Sequence, residues 1–124
     1  MLPITTNDEL GRQIICDYYG CQANIGTAEV ILDVLREAVE RSQSTLLKLF
    51  IHQFSPQGVT AIAIIAESHI IIHTWPEKAY IALDAFTCGS KALPERAIEV
   101  VREAFRPTHI ETREVKRSAS YEIR

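Results

Sequence analysis

The sequence has 124 residues and a formal net charge of −3, and its 47% hydrophobic and 23% charged residues are typical of one globular domain with its own core. The acidic balance, without a dense Lys/Arg run, argues against a nucleic-acid surface, and no apolar segment is long enough to span a bilayer. The N-terminus lacks the pattern of a signal peptide, and three cysteines without paired spacing favour reduced thiols in the cytoplasm.

Strand-like and helix-like apolar patterns follow one another along the chain. Thr27 is expected to be the N-cap of a first helix, and Pro94 suits the first turn of a second, which Pro107 ends. Residues 55–58 have the composition of a turn. In chain order the predicted elements are a strand at 12–19, a helix at 28–41, strands at 45–54, 59–66, 69–74 and 79–87, the second helix from residue 94, a weak edge strand at 108–116 and a polar tail at 117–124.

The order β-α-β-β-β-β-α-β predicts a single α+β domain over residues 1–124. Two helices would cover one face of an antiparallel sheet in a two-layer sandwich. The third strand is apolar on both faces: Val59, Ala61, Ala63 and Ile65 alternate with Ile62 and Ile64. Because two helices cover only one side, we expect the bare face to pack on a second copy, giving a symmetric homodimer with an αββα arrangement.

A polar cluster, Glu67-Ser68-His69, interrupts the long apolar run between the third and fourth strands, and three isoleucines follow it. Polar groups left without partners in such a place cost roughly a few kcal/mol each. A conflict of this kind between local chemistry and burial is typical of a functional site.

Two familiar kinds of site fit this segment poorly. Three isoleucines separate His69 from His73, so strand geometry places their Cα atoms roughly 13 Å apart, too far to share one metal ion through bonds of about 2 Å. Ser68 lacks the Gly-x-Ser-x-Gly turn of a serine hydrolase, and the adjacent His69 points to the opposite strand face. The residues alone indicate a special serine with a histidine and a cysteine nearby, and they leave the reaction open.

Three motifs resemble those of the prokaryotic S-adenosylmethionine decarboxylases, which carry a pyruvoyl group. They are Glu67-Ser68-His69, His73-Thr74-Trp75-Pro76-Glu77 and Thr87-Cys88-Gly89, and upstream His52, Phe54, Pro56, Gly58 and Val59 match the same pattern. The resemblance covers nearly the whole chain. It implies a lyase that decarboxylates S-adenosylmethionine to make the aminopropyl donor of polyamine synthesis.

The resemblance also implies a proenzyme that cuts itself between Glu67 and Ser68, giving chains 1–67 and 68–124. Ser68 would attack the preceding carbonyl to form an ester, β-elimination would cut the chain, and hydrolysis of the dehydroalanine would leave a pyruvoyl group at position 68. That cofactor, with no metal, would form a Schiff base with the substrate amine and accept electrons as carbon dioxide leaves.

Two further roles follow from the resemblance. His73 resembles the acid/base that assists self-processing, with Thr60 as its hydroxyl partner, and residues 69 and 73 share a strand face, so His69 is expected to line the same cavity. Cys88 resembles the general acid that reprotonates the substrate's α-carbon, and an ordinary thiol is mostly protonated at neutral pH, as a donor must be. Without the motifs, His73 and Cys88 would be interpreted as core residues, as Cys16 and Cys21 are here.

Phe54 and Trp75 resemble the family's aromatic contacts to the sulfonium and adenine of the substrate. A cation over such a ring gains about 0.5–2 kcal/mol. Glu77 resembles the carboxylate that bonds the ribose hydroxyls. Without the resemblance, Phe54 and Trp75 would be interpreted as ordinary core residues and Glu77 as a solvated turn residue. In the family the active sites form at the dimer interface, which agrees with the bare face of the predicted sheet.

Three positions depart from the family pattern. Gln13 stands where the family usually has histidine, Gln53 where it has a basic residue, and Thr60-Ala61 where Ser-Gly is common. Threonine keeps the hydroxyl, so processing is expected to survive.

The departures leave a second substrate class open. Relatives on this fold resemble decarboxylases of arginine or ornithine that use the same pyruvoyl chemistry, and Asp17 or Asp84 would then pair with the distal cation. A third hypothesis is a non-catalytic homologue that binds or regulates a processed partner. Intact Ser68, His73 and Cys88 count against it.

Overall fold

The computed structural model of the chain describes residues 9–89 and 91–121, which form a six-stranded antiparallel sheet and two α-helices. The predicted element order and fold class are confirmed. The elements are β1 (Glu9–Tyr19), α1 (Ala28–Arg41), β2 (Thr45–Gln53), β3 (Val59–Ala66), β4 (Ser68–Trp75), a short 3-10 helix (Pro76–Lys78), β5 (Tyr80–Cys88), α2 (Pro94–Phe105) and β6 (His109–Ser118).

Several predicted strand boundaries differ from the structure by one to three residues, and two of these differences have identifiable reasons. β4 begins at Ser68 rather than His69, because Ser68 pairs with both Ile65 and Thr87. Arg117 belongs to β6 instead of the polar tail, because it pairs with Gly11 of β1. Ser90 and the last three residues of the predicted tail lie outside the described residues.

The strands lie in the order β2-β3-β4-β5-β1-β6. β1 therefore lies between β5 and β6, and β6 is an edge strand as predicted. This insertion places Asp17 of β1 opposite Ala82 of β5, and it brings the N-terminal strand beside the segment that follows the Trp75 turn.

The two helices cover one face of the sheet, here called the covered face. α1 buries Ile31, Leu35, Ala38 and Val39, and α2 buries Ala97, Ile98, Val100, Val101 and Phe105. They pack on alternate residues of the strands, including the predicted set Val59, Ala61, Ala63 and Ile65. Full burial of an isoleucine or leucine contributes about 1.5–3 kcal/mol, so this layer holds the domain together.

Thr27 precedes α1, as predicted, but its side chain does not cap the helix. Its hydroxyl instead accepts a hydrogen bond from the Asn24 side-chain amide. The first helical turn is closed through the backbone, by the Ile31 N–H donating to the Thr27 carbonyl at 3.1 Å.

Neither α1 nor α2 packs on the second face, here called the open face. Its apolar residues occupy neighbouring strands, and Phe50 and Val115 are 48% and 46% exposed. The dimer expected to cover this face stays a prediction. None of the helices within residues 9–89 and 91–121 has the length and apolarity needed to cross a membrane.

Candidate active site

Ser68 lies at a tight connection between β3 and β4. Ile65 and Ser68 are directly paired, so only Ala66 and Glu67 form the turn. Ser68 has a φ of +108°, a conformation that a non-glycine residue rarely adopts and that costs roughly 1–3 kcal/mol. Backbone strain of this kind is common where a residue takes part in chemistry.

The Ser68 hydroxyl lies 3.4 Å from the thiol of Cys88, the last residue of β5. The two strands bring these groups together because Ser68 pairs with Thr87, the neighbour of Cys88. Beside them is a cavity of about 370 Å³ whose lining includes Glu67, Cys88 and Lys91. The expected cleavage bond and the expected proton donor therefore lie at one end of the sheet, here called the Ser68 end.

His73 lies at the opposite end of β4. It is paired with Thr60 of β3, and the Thr60 hydroxyl lies 2.9 Å from His73 Nδ1. This hydrogen bond fixes the imidazole and engages one of its two nitrogens. The contact predicted between these residues is present.

A cavity of about 430 Å³ opens beside His73, and this region is here called the His73 end. The residues expected to bind substrate lie around it together with the processing pair: Phe54, Thr60, His73, Trp75 and Glu77. Trp75 is 37% exposed and Phe54 48% exposed, so each ring presents a surface to the cavity.

Neighbouring rings hold these aromatic side chains. The ring of Phe54 packs edge-on against His52, with centroids 4.5 Å apart. The centroid of the Trp75 ring lies 6.0 Å from that of His73 and 5.2 Å from that of Tyr80. The 3-10 helix after Trp75 carries Glu77 back towards the same opening.

One chain does not bring the two ends together. Ser68 and His73 are five residues apart on one strand, which corresponds to roughly 16 Å. His69 does not line the His73 cavity, contrary to expectation. It lies beside Asp84, with His69 Nε2 at 3.7 Å from Asp84 Oδ2.

The three departures from the family pattern have different structural settings. Ala61 is fully buried on the covered face, so its methyl group points away from Thr60 and His73. Gln53 donates from its amide to the carbonyls of Gly26 and Gly58 at 3.2 and 3.1 Å, which holds the β2–β3 turn next to Phe54.

Gln13 lies on the open face within a polar network. Its amide donates to Asp84 at 3.0 Å, and its carbonyl accepts from Arg117 at 2.8 Å. His69 Nε2 is buried beside this network without a hydrogen-bond partner among the described residues. Gln13 therefore supports Asp84 at the centre of the face, away from both cavities.

Sequence reasoning missed the neighbours that support Trp75. The Tyr80 hydroxyl donates to Asp17 Oδ1 at 2.5 Å. Burial is the larger cause, and this hydrogen bond the second, of a raised Tyr80 pKa. Tyr80 and Asp17 are 63 positions apart in the sequence, so their contact has no local pattern. The aromatic residue at the start of β5 was the one local sign of a ring beside Trp75.

The remaining cysteines have structural surroundings. Cys16 is fully buried, and burial raises the pKa of its thiol. Burial also raises the pKa of Cys21 to about 11. Among the described residues, no group of three or more His, Cys, Asp or Glu side chains is placed to hold a metal ion.

A profile of the family described as S-adenosylmethionine decarboxylase matches residues 12–118. The chain belongs to the S-adenosylmethionine decarboxylase family. The match confirms the resemblance expected from the three motifs, and it covers both the Ser68 end and the His73 end.

Individual relatives of the family agree over most of their length. The S-adenosylmethionine decarboxylase proenzyme of Thermomicrobium roseum is 46% identical over 109 residues, covering 87% of this chain and 93% of that protein. The proenzyme of Pyrococcus horikoshii is 41% identical over 118 residues, with 94% and 85% covered. The crystal structure of the adenosylmethionine decarboxylase from Aquifex aeolicus matches with a TM-score of 0.84 at 34% identity, covering 93% of this chain and 96% of that one.

Proposed function

We propose that this chain decarboxylates S-adenosylmethionine with a pyruvoyl group that it makes from Ser68. Family membership supports the reaction. The main support for the location of the site is the contact between the Ser68 hydroxyl and the Cys88 thiol. The two groups are 3.4 Å apart beside a strained two-residue turn. This arrangement fits a serine that is converted into a carbonyl group, with a thiol beside it that donates a proton to the substrate bound there.

Self-processing uses bonds of the chain itself. The Ser68 hydroxyl attacks the Glu67 carbonyl, and the Glu67–Ser68 amide becomes an ester as its C–N bond breaks. Loss of the Ser68 α-proton and of the ester oxygen then separates residues 1–67, which end in a carboxylate. The remaining dehydroalanine takes up water and releases ammonia, which leaves the ketone at position 68.

Cys88 is the proton donor for the substrate. A ketone next to an amide carbonyl condenses with an amine and accepts electrons as carbon dioxide leaves. The Cys88 thiol lies within reach of residue 68, so its proton is available to the substrate's α-carbon. The cavity beside Cys88 provides space at this end of the sheet.

The aromatic cavity at the His73 end is proposed to hold the nucleoside. Phe54 and Trp75 offer faces for adenine and for the sulfonium cation, whose attraction to a ring is worth about 0.5–2 kcal/mol. Glu77 lies on the same cavity and accepts hydrogen bonds from the ribose hydroxyls. Thr60 engages Nδ1 of His73, so Nε2 is the nitrogen that exchanges the proton during processing.

The complete site is proposed to form between two copies of the chain. Within one chain the Ser68 end and the His73 end are roughly 16 Å apart along β4, so His73 of one copy acts on Ser68 of the other. The open face supplies the contact surface. Its apolar residues are Ile15, Phe50, Ile62, Ile64, Ile71, Phe86 and Val115, and a two-fold axis through that face brings opposite ends together.

The same chemistry on arginine or ornithine is less well supported. Asp17 accepts a hydrogen bond from Tyr80, and Asp84 accepts one from Gln13, so both carboxylates proposed for a distal cation already have partners. The aromatic cavity suits an adenine better than an alkyl amine.

The test is release of labelled carbon dioxide from carboxyl-labelled S-adenosylmethionine, arginine and ornithine by the processed protein. Release from S-adenosylmethionine alone is expected. Release from arginine or ornithine at a comparable kcat/KM would overturn the substrate assignment. A matched Ser68→Ala protein is the background control.

A further inference from the structure

Four rings form a continuous row across the open face at its His73 end. His109, Tyr19, Tyr80 and Trp75 lie on β6, β1, β5 and β4, which are neighbouring strands. The successive centroid distances are 5.9, 5.4 and 5.2 Å. All three fall in the range of favourable aromatic contacts. The row ends at Trp75, which also lines the proposed nucleoside cavity.

A carboxylate fixes the middle of this row. Asp17 Oδ1 accepts the Tyr80 hydroxyl, and Asp17 Oδ2 lies 3.8 Å from the Arg113 guanidinium. The Asp17 side chain is only 17% exposed, so its two oxygens are held between a strand on each side. The tyrosine ring is consequently held at both its hydroxyl and its face.

We infer that Tyr80, tethered by Asp17, is a positioning residue that fixes the Trp75 ring as the wall of the substrate cavity. The inference deepens the proposed function and rests on it. Tyr80 is paired directly with Trp75 across β4 and β5, and its ring contacts Trp75 with an interplanar angle of 36°. Tyr80 itself does not line that cavity, so its effect on substrate passes through Trp75.

Positioning of this kind predicts a specific kinetic pattern. Loss of the Tyr80 ring frees Trp75 to adopt other orientations, so substrate binding weakens. The contacts proposed for chemistry, Thr60 with His73 and Ser68 with Cys88, do not involve Tyr80, so self-cleavage and the chemical step are expected to be preserved. KM should therefore rise while kcat stays nearly constant.

The sequence offers a direct optical reporter, because Trp75 is its one tryptophan. The experiment compares Tyr80→Ala, Tyr80→Phe and Asp17→Asn with the wild type and with Tyr121→Phe. Tyr121 is 81% exposed and serves as a control for loss of a surface hydroxyl. Each protein is examined by intact mass, by kcat and KM for S-adenosylmethionine, and by tryptophan emission and acrylamide quenching.

Tyr80→Ala is expected to be cut normally, to raise KM about threefold to tenfold, and to shift Trp75 emission to the red with stronger quenching. Tyr80→Phe retains the ring and should restore most of the emission and KM. Asp17→Asn should show a smaller rise in KM, and it keeps the inference testable if Tyr80→Ala does not fold.

An active wild type combined with unchanged KM and emission in Tyr80→Ala would overturn the positioning role alone. A fall in kcat at unchanged KM would also overturn it. A wild type that does not decarboxylate S-adenosylmethionine would instead overturn the proposed function, together with the inference that rests on it.

Discussion

The two faces of the sheet are made by the same strands and differ in almost everything else. On β4, Ile70, Ile72 and Thr74 are buried under the helices, whereas His69, Ile71 and His73 face the open side. The covered face stabilises the domain by burying apolar surface. The open face carries His73, the aromatic residues proposed to bind substrate and the apolar surface proposed for a second copy. On β4 the buried residues and His73 therefore lie on opposite faces, whereas Ser68, at the end of the strand, is in register with the buried residues Ile65 and Thr87.

The Ser68 end and the His73 end of the sheet also differ from each other. The Ser68 end has a strained serine and a thiol, and the His73 end has an imidazole, a hydroxyl and aromatic walls. Each end holds part of the site proposed above. A chain of 124 residues can thus supply a full site twice in a symmetric dimer, provided that the ends meet across the interface.

The largest expected effect separates cutting from catalysis at the Ser68 end. Cys88→Ala should still cleave at Glu67/Ser68, but loss of a positioned proton donor should lower kcat by about 10²–10⁴-fold, with more substrate lost to faulty protonation. Cys21→Ala is the matched thiol control, because Cys21 follows β1 beside Ala79, at the opposite end of the chain's sheet from Ser68. The measurement is labelled carbon dioxide release beside intact mass. A Cys88→Ala protein with wild-type kcat would remove the proposed donor.

The next prediction compares adjacent residues on opposite faces. Ile72→Ala should lower the free energy of unfolding by about 2–5 kcal/mol, because Ile72 is fully buried and its truncation leaves a cavity. Ile71→Ala should mainly weaken self-association. Urea unfolding and sedimentation velocity distinguish the two results. Equal losses of association in both variants would contradict the assignment of the faces.

At the His73 end, Thr60→Val removes the hydroxyl bonded to His73 while keeping the shape of the side chain. Processing should slow by about threefold to tenfold, since an ordinary hydrogen bond such as the one that orients this imidazole contributes about 0.5–1.5 kcal/mol. Thr60→Ser should restore the rate. The measurement is the fraction of cut chain with time after synthesis. Unchanged processing in Thr60→Val would exclude the proposed role of the pair.

The smallest effect concerns an ion pair between β1 and β6 at the surface. The Arg12 guanidinium bonds both oxygens of Glu114 at 2.9 Å, and this lowers the Glu114 pKa. Because the folded-state pKa is depressed, the stabilisation is present above the ordinary glutamate pKa and is lost as pH falls through the lowered value. Glu114→Gln should cost at most about 1 kcal/mol at pH 7.

That difference should shrink in acid, which unfolding at neutral and acidic pH will measure. Glu40→Gln, at an exposed position on α1, is the control. A difference that grows in acid would contradict the assignment.

Local patterns predicted much of this molecule. The alternation from Val59 to Ile65 predicted which side chains share a face, because the period of a strand is a local property. The Thr60–His73 contact followed from motifs. The insertion of β1 between β5 and β6 depends on pairing between distant segments, so the contact of Asp17 with Tyr80 was not predictable from periodicity. The expectation that His69 and His73 line one cavity was wrong, because the cavities form at the strand ends.

The central claim is that this chain makes its cofactor from Ser68, and intact mass of freshly purified protein tests it most directly. The expected result is two fragments, residues 1–67 and 68–124, with the second lighter by one ammonia than a fragment that begins with serine. Ser68→Ala should remain a single chain. A single uncut wild-type chain after prolonged incubation would contradict the claim and favour a non-catalytic partner.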